Sequence, residues 1–225
     1  MARLPATVVS TATARPSALT SNKVLRNTYL LLGATLGFSA VTAAISMAVN
    51  FPHLGLLTLV GYFGLLFAVN KTKESSWGIL WIFALTGFMG LTLGPILNMY
   101  LKFLPDGHQV ILTALGTTAA AFLGLSAYAV KSEKDFSFLG GFLFVGVWGA
   151  FILGLIAFFF HLPLLSVIVS GMFLVVSSGL ILFQTSNIIR GGETNYIMAT
   201  VTLYVSIYNM IISLLNILGF ASNRN

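Results

Sequence analysis

Charged side chains are confined to short stretches that separate long apolar runs. No Asp, Glu, Lys or Arg occurs in residues 27–70, 75–101, 107–130, 136–189 or 194–223. The two longest runs are each interrupted once, at Pro52-His53 and at His161-Leu162-Pro163. Because a helix needs about 20 apolar residues to cross a bilayer, these runs predict seven membrane spans.

The spans are expected to be helices, because lipid offers no water to unpaired backbone groups. Their predicted bounds are 27–49, 54–70, 76–101, 108–130, 137–160, 163–189 and 195–219. Residues 1–22 are rich in Ala, Thr, Ser and Pro and contain no apolar core, so we expect a flexible cytoplasmic tail rather than a signal peptide. The predicted fold is therefore an all-α membrane protein, with a seven-helix domain over residues 23–225.

Composition excludes several classes of function. Hydrophobic residues make up 57% of the chain and charged residues 7%, too few charges to cover a soluble domain. The absence of cysteine excludes thiolate metal sites and a cysteine nucleophile. No acid lies inside a span to complete a Ser-His-Asp set, and no His-x-x-x-His or Glu-x-x-His spacing occurs. We therefore expect no enzyme, no cofactor and no metal site, and the scattered basic residues do not predict a nucleic-acid surface.

The distribution of basic residues predicts the orientation in the membrane. Nine of them precede the first span or lie in alternate loops: Arg3, Arg15, Lys23, Arg26, Lys71, Lys73, Lys131, Lys134 and Arg190. The other side receives Lys102 and Arg224. Since cytoplasmic loops are enriched in Lys and Arg, we expect a cytoplasmic N-terminus and a C-terminus outside.

Three histidines, His53, His108 and His161, then lie at the outer ends of helices. They are expected to be either membrane-interface residues or a metal-binding or acid-sensing group.

Neutral polar residues inside the spans form three helix faces. Span 7 carries Thr202, Ser206, Asn209, Ser213 and Asn216 at spacings of 4, 3, 4 and 3. Span 6 carries Ser170, Ser177 and Gln184, and span 1 carries Thr35, Ser39, Thr42 and Ser46. Each set lies on one side of its helix. Such faces either line a water path or ion site or join helices through hydrogen bonds.

Two further segments predict local structure. Gly94, Pro95 and Asn98 fall within span 3, where proline removes a helix hydrogen bond and predicts a kink, serving either as a gate or as a packing adjustment. Gly191-Gly192 predicts a helix C-cap and turn rather than a phosphate loop. Glu193 is expected either to pair with Arg190 or to lie in the first turn of span 7, where the helix dipole favours an acid.

The stretch from Phe183 to Asn209 resembles the signature of the Bax inhibitor-1 family. Its most distinctive part is the loop that contains Arg190, Gly191, Gly192, Glu193, Asn195 and Tyr196. Residues 23–29, 93–98 and 135–141 are similar to a bacterial subgroup of that family. The resemblance implies a seven-helix bundle in the bacterial inner membrane, with the last helix central.

The family resemblance also implies a position for a functional pair. Pore-forming members place two acids between the sixth and seventh helices, where they share a proton and make a calcium leak depend on pH. The matching positions here are Gln184 and Ser206, neither of which ionises. Calcium prefers carboxylates among its ligands, and a neutral pair does not switch on protonation. We expect instead a hydrogen bond between the two that joins spans 6 and 7.

The subgroup resemblance implies a regulatory membrane protein. It would bind and modulate FtsH, the membrane-anchored ATP-dependent protease, together with the stomatin-like partner complex of that protease. The N-terminal tail would be the handle that the protease engages, and membrane lipid would be the other partner. The alternative function is a calcium leak of the family type without the acidic-pair gate.

Overall fold

The structure, a computed structural model, describes residues 18–132 and 134–223. These residues form seven α-helices and no strands, so the predicted all-helical fold is confirmed for this part of the chain. The helices are α1 (Ala18–Ala48), α2 (Leu57–Thr72), α3 (Trp77–Phe103), α4 (Gly107–Ser132), α5 (Leu139–Phe159), α6 (Pro163–Ile189) and α7 (Tyr196–Ser222).

Six of the seven helices are long and apolar enough to cross a membrane. The exception is α2, which has 16 residues. At 1.5 Å per residue, it reaches about 24 Å, whereas the hydrocarbon core is about 30 Å thick.

The first helix begins earlier than the charge pattern predicted. Residues 18–22, which we assigned to the tail, are helical, and the rest of the predicted tail, residues 1–17, lies outside the described part of the chain. The helix extends because Ser21, Val24 and Thr28 continue its buried face at helical spacing. Val24 packs against α6 and α7, so the face that enters the bundle starts before the charge-free run.

The helices surround α7, which packs against α1, α3, α4 and α6. The main hydrophobic core contains Leu203, Tyr204 and Met210 of α7 together with buried residues of α1, α2, α3 and α6. Two helices are more peripheral, since α2 packs mainly against α3 and α5 packs mainly against α6.

The proline in α3 is accommodated by a neighbouring helix. α3 continues through Pro95, which has no N–H to donate to the carbonyl of Leu91. The Ser46 hydroxyl of α1 donates to that carbonyl at 2.7 Å, and Asn98 Nδ2 donates to the carbonyl of Met47 at 3.0 Å. These bonds favour the interpretation of the proline segment of α3 as a packing adjustment rather than as a gate.

Two glycines allow α1 and α3 to come close together. A methyl group on Gly90 would overlap the Thr42 hydroxyl and the Ser39 carbonyl, and one on Gly94 would overlap Ser46. The hydroxyl face of α1 therefore packs against a glycine surface of α3, as in other tightly packed membrane helices.

The alternating direction of the helices defines two ends of the bundle. The N-terminal end holds the start of α1 and the α2–α3, α4–α5 and α6–α7 loops, and the C-terminal end holds the other three loops. The described basic residues at the N-terminal end are Lys23, Arg26, Lys71, Lys73, Lys131, Lys134 and Arg190. In the described part of the chain, Lys102 is the basic residue at the opposite end.

Candidate functional site

Gln184 of α6 and Ser206 of α7, which the sequence resemblance matched to an acidic pair, are both buried, with exposed fractions of 5% and 0%. Ser206 Oγ donates to the carbonyl of Thr202 at 2.8 Å. Gln184 Nε2 has no hydrogen-bond partner among the described residues. The prediction of a hydrogen bond between Gln184 and Ser206 is therefore wrong. The Ser206 hydroxyl bonds its own helix instead, because a serine hydroxyl in a helix readily reaches the carbonyl one turn back.

Four other polar atoms are also buried without a partner among the described residues. They are Thr28 Oγ1 on α1, Ser126 Oγ and Ser132 Oγ on α4, and Ser177 Oγ on α6. Ser177 lies on the same face of α6 as Gln184, two turns away. An unsatisfied buried donor or acceptor costs about 1–3 kcal/mol. These unsatisfied atoms all belong to neutral groups, and no set of three or more His, Asp or Glu that could hold a metal occurs in the described residues.

The polar face of α7 divides into three parts. Thr202 and Ser206 donate to carbonyls of their own helix, at 3.1 and 2.8 Å. Asn216 Nδ2 donates to Ser166 Oγ at 2.7 Å and Ser170 Oγ at 2.9 Å, which joins α7 to α6. Asn209 and Ser213 line a cavity of about 330 Å³ between α5, α6 and α7. Within this face, then, Thr202, Ser206 and Asn216 donate hydrogen bonds to other groups of the bundle, and Asn216 lines the cavity together with Asn209 and Ser213.

A tyrosine that the sequence reasoning missed connects three helices. The hydroxyl of buried Tyr204 donates to the carbonyl of Thr86 at 3.2 Å, so Ser39 Oγ, 2.6 Å away, is the donor in their bond. Tyr208 stacks on Tyr204, with 6.5 Å between ring centroids. The sequence feature that could have identified this pair is the spacing of Tyr204 and Tyr208, which places both rings on one side of α7.

The face of span 1 is a packing surface. Thr35 and Thr42 donate to carbonyls of α1 itself, both at 3.0 Å. Ser39 and Ser46 bond to α7 and α3, respectively.

Asn195 organises the signature loop at the N-terminal end of the bundle. Its Oδ1 accepts from the backbone N–H groups of Ile197 and Met198, both at 3.0 Å, and so caps α7. Its Nδ2 donates to the carbonyl of Lys73 at 3.0 Å and to Glu74 Oε1 at 3.1 Å. The loop therefore starts the central helix and attaches it to the α2–α3 loop.

Glu193 neither pairs with Arg190 nor lies in the first turn of α7, the two alternatives that we expected. Its Oε1 accepts from the backbone N–H of Asn195 at 2.8 Å, before the first turn of α7. Arg190 instead faces Asp135 at 3.9 Å. Hydrogen bonds from the hydroxyl and the N–H of Ser137, aided by Arg190, hold the pKa of Asp135 below its usual range.

The glycines and the first residue of α7 complete the loop. Gly191 has φ +74°, which fits the turn expected after the end of α6. A methyl on Gly192 would overlap the side chain of Asn187. Tyr196 packs against a small cluster formed by α1, α6 and α7.

The three histidines are exposed at the C-terminal end of the bundle. His53 Nδ1 accepts from the backbone N–H of Gly55 at 3.1 Å. No group of three or more His, Asp or Glu side chains that could hold a metal ion forms in the described residues.

Comparison with known proteins places these features among relatives of similar length. The sequence model of the family described as "Inhibitor of apoptosis-promoting Bax1" matches residues 21–224. "Modulator of FtsH protease YccA" of Escherichia coli strain K12 is 53% identical over 217 residues, which cover 96% of this chain and 98% of that protein. "Inner membrane protein YccA" of E. coli O6:H1 has the same identity and coverage.

A Pseudomonas aeruginosa protein is 51% identical over 199 residues, 88% of this chain and 89% of its own length. The resemblance inferred from the sequence is confirmed by these matches. The names of the E. coli relatives describe a membrane protein and a modulator of a protease, in agreement with the expectation of a non-enzymatic protein.

Proposed function

Since this chain belongs to the Bax inhibitor-1 family, we propose that it is a non-enzymatic, multi-pass inner-membrane protein that binds and modulates the protease FtsH. The observation that carries the proposal is the 53% identity, over almost the whole of both chains, to a relative named as a modulator of that protease. An identity this high over almost the whole of both chains supports a shared fold.

The proposed topology has all seven helices crossing the membrane, with the N-terminal end of the bundle in the cytoplasm and the C-terminus in the periplasm. Support comes from the nine basic residues assigned to one side and the two assigned to the other. Although α2 is shorter than the hydrocarbon core, local thinning of the bilayer accommodates a short span at modest cost.

The mechanism that we propose begins at the N-terminus. A membrane-anchored protease that engages residues 1–17 from the cytoplasm would next have to extract α1. That helix is held to α3 by the Ser46–Leu91 bond and by Asn98, and to α7 by the Ser39–Tyr204 bond. The chain would therefore occupy the protease and slow its action on other membrane proteins, within the complex that includes the stomatin-like partner.

Copurification tests both parts of this proposal. The tagged full chain is purified from gently solubilised membranes and the bound proteins are identified by mass spectrometry. We expect FtsH and its stomatin-like partner with the full chain. Deletion of residues 1–17, which leaves buried Ser21 and Val24 in place, should slow the turnover of the chain by FtsH.

A variant in which residues 1–17 are replaced by a Gly/Ser segment of the same length is the control for tail length. Unchanged turnover after the deletion would remove the tail from the mechanism. Absence of FtsH from the full-chain preparation would contradict the proposed function itself.

The other function in the family, a calcium leak, has weaker support here. The positions of its acidic pair hold neutral Gln184 and Ser206, and their environment supplies hydroxyl and amide groups rather than carboxylates. Without an acid, the site offers Ca²⁺ little of the charge it usually requires.

A further inference from the structure

Two adjoining cavities lie in the half of the bundle towards its C-terminal end. The first, of about 330 Å³, is enclosed by α5, α6 and α7. The second, of about 310 Å³, extends from there to α2 and α3. Gly154, Phe158 and Phe173 line both, so the two cavities adjoin along these residues and together form the space bounded by α2, α3, α5, α6 and α7.

The floor of this space is polar and incompletely bonded. Asn209 and Ser213 lie one turn apart on α7 and face the first cavity, and Ser213 is only 3% exposed. Neither side chain has a hydrogen-bond partner within residues 18–132 and 134–223. A carboxamide and a hydroxyl in this position can both donate to and accept from a bound molecule.

The second cavity adds an acceptor. Thr92 Oγ1 gives its single hydrogen to the carbonyl of Met89 at 2.9 Å. Tyr208 is therefore the donor in the 3.3 Å bond between its hydroxyl and Thr92 Oγ1. The remaining lone pair of the Tyr208 oxygen is free to accept from a molecule in the cavity that Tyr208 lines.

The walls opposite this floor are apolar and aromatic, formed mainly by Phe151, Leu155, Phe158 and Phe173. No Asp, Glu, Lys or Arg lines either cavity. His53 lines the second cavity but is exposed, so the polar floor of Asn209 and Ser213 offers no counter-charge to an ionised ligand. Water alone would bond the floor but would leave the aromatic wall against a polar solvent, whereas a neutral amphiphile matches both surfaces.

The space is accessible beside the end of α5, because Phe158 is 53% exposed although it lines both cavities. α2 and α5 do not pack extensively, and the Phe63–Phe151 ring contact bridges the gap between them. One turn of a helix fills about 400 Å³, from its diameter of about 10 Å and pitch of 5.4 Å. Each cavity has a volume below that of one helix turn, which favours a thin chain over a partner helix as its occupant.

We infer that this space binds a neutral single-chain lipid of the monoacylglycerol class, which enters from the bilayer between α2 and α5. The hydroxyl groups of its head bond to Asn209, Ser213 and the Tyr208 oxygen, while its chain lies along Phe151 and Phe158. This inference is independent of the binding of FtsH and concerns a surface at the other end of the bundle.

Photo-crosslinking tests the inference directly. The full chain is placed in nanodiscs of dioleoylphosphatidylcholine and labelled with a monoacylglycerol that carries a diazirine in its acyl chain. We expect labelling that saturates, that unlabelled monoolein displaces, and that maps by mass spectrometry to α5, α6 and α7 around the cavity. Asn209→Leu should reduce the saturable labelling about fivefold, the effect of one lost hydrogen bond.

Gly154→Leu should abolish the labelling, because a β-carbon there makes only an ordinary contact with Val169 and the rest of the side chain extends into the cavity. Gly149→Leu is the matched control, since Gly149 lies on the same helix, has open space beside it and does not line the cavities. This control should label like the unaltered chain. Size-exclusion profiles identify any variant that fails to fold, and Ser213→Ala then provides an independent test of the polar floor.

A fatty acid with the same diazirine chain tests the headgroup, and it should label much less than the monoacylglycerol at neutral pH. Equal labelling by the two probes would contradict the neutral head. Labelling that does not saturate, or that is unchanged by both Asn209→Leu and Gly154→Leu, would overturn the inference and leave a water-filled cavity.

Discussion

Single hydrogen bonds decide how the polar residues of this membrane bundle should be interpreted. Ser46 and Ser206 are both buried serines on helix faces of similar composition. Ser206 bonds its own helix, whereas Ser46 bonds the carbonyl that Pro95 leaves without its usual donor. Loss of the Ser46 hydroxyl would therefore leave the Leu91 carbonyl without a donor. Loss of the Ser206 hydroxyl would leave the Thr202 carbonyl with its usual backbone donor in α7.

We expect Ser46→Ala to destabilise the protein by about 1–3 kcal/mol, because the Leu91 carbonyl would be buried without a donor. Thermal unfolding in detergent, monitored by size exclusion, measures the change. In a Pro95→Ala background the same substitution should cost much less, since the alanine N–H can bond Leu91.

Ser178→Ala is the control, because Ser178 donates to the Leu174 carbonyl of its own helix, which keeps its backbone donor. Equal losses from Ser46→Ala and Ser178→Ala would refute the special role of Ser46.

The pair at positions 184 and 206 allows a gain-of-function prediction. The Gln184→Asp/Ser206→Asp double variant should show pH-dependent calcium flux in proteoliposomes. Two close acids share a proton at low pH and attract the cation more strongly as the pair ionises at higher pH. Each single variant and the unaltered chain should show no pH-dependent flux. A pH-dependent leak from the unaltered chain would contradict our interpretation that the neutral pair Gln184 and Ser206 does not form a pH-switched calcium site.

At the scale of elements, the signature loop matters because it starts the central helix. Asn195 has two separate tasks there, since its Oδ1 caps α7 and its Nδ2 bonds the α2–α3 loop. Gly191 and Glu193 provide the turn and fix the backbone N–H of the cap residue. The family motif is in this respect a structural junction rather than a catalytic group.

Two substitutions separate these tasks. Asn195→Asp keeps the cap acceptor but loses the donor and places a carboxylate beside Glu74, so we expect protected amides at Ile197 and Met198 and faster proteolysis of residues 73–76. Asn195→Ala loses both and should destabilise the protein by about 1 kcal/mol or more. Hydrogen exchange and limited proteolysis distinguish the two effects. If both variants exchange equally fast at Ile197 and Met198, the capping role is wrong.

At the scale of the molecule, the absence of cysteine makes the orientation directly measurable. We expect the Asp106→Cys variant to react with a membrane-impermeant maleimide on intact spheroplasts. The Ser75→Cys variant, at the other end of the bundle, should react only after the membrane is lysed. Both positions are exposed in loops, so accessibility and not burial decides the result. The reverse pattern would invert the proposed topology.

Much of this architecture could be predicted because lipid enforces it. Charge is too costly inside a bilayer to occur at random, so its distribution predicted the number of helices and which loops share an end. It predicted the start of α1 poorly, because Ser21 and Val24 enter the bundle in a segment that also carries exposed Lys23 and Arg26.

Hydrogen-bond partners were beyond the sequence pattern. Spacing placed Ser206 and Asn209 on one face of α7. It did not show that Ser206 bonds a carbonyl of its own helix, or that the neighbouring helices leave a cavity beside Asn209. Tyr204 was overlooked because an aromatic residue in an apolar run gives no sign of which distant carbonyl its hydroxyl will reach.

The position of α7 at the centre of the bundle has a consequence for biosynthesis. A ribosome makes this helix after α1, α3, α4 and α6, which all pack against it. Until α7 has been synthesised and inserted, these four helices lie in the bilayer without their common neighbour, and hydroxyls such as Ser39 have no Tyr204 to bond. The bundle therefore cannot close around its centre before α7 inserts, and a chain that stops before α7 lacks these contacts.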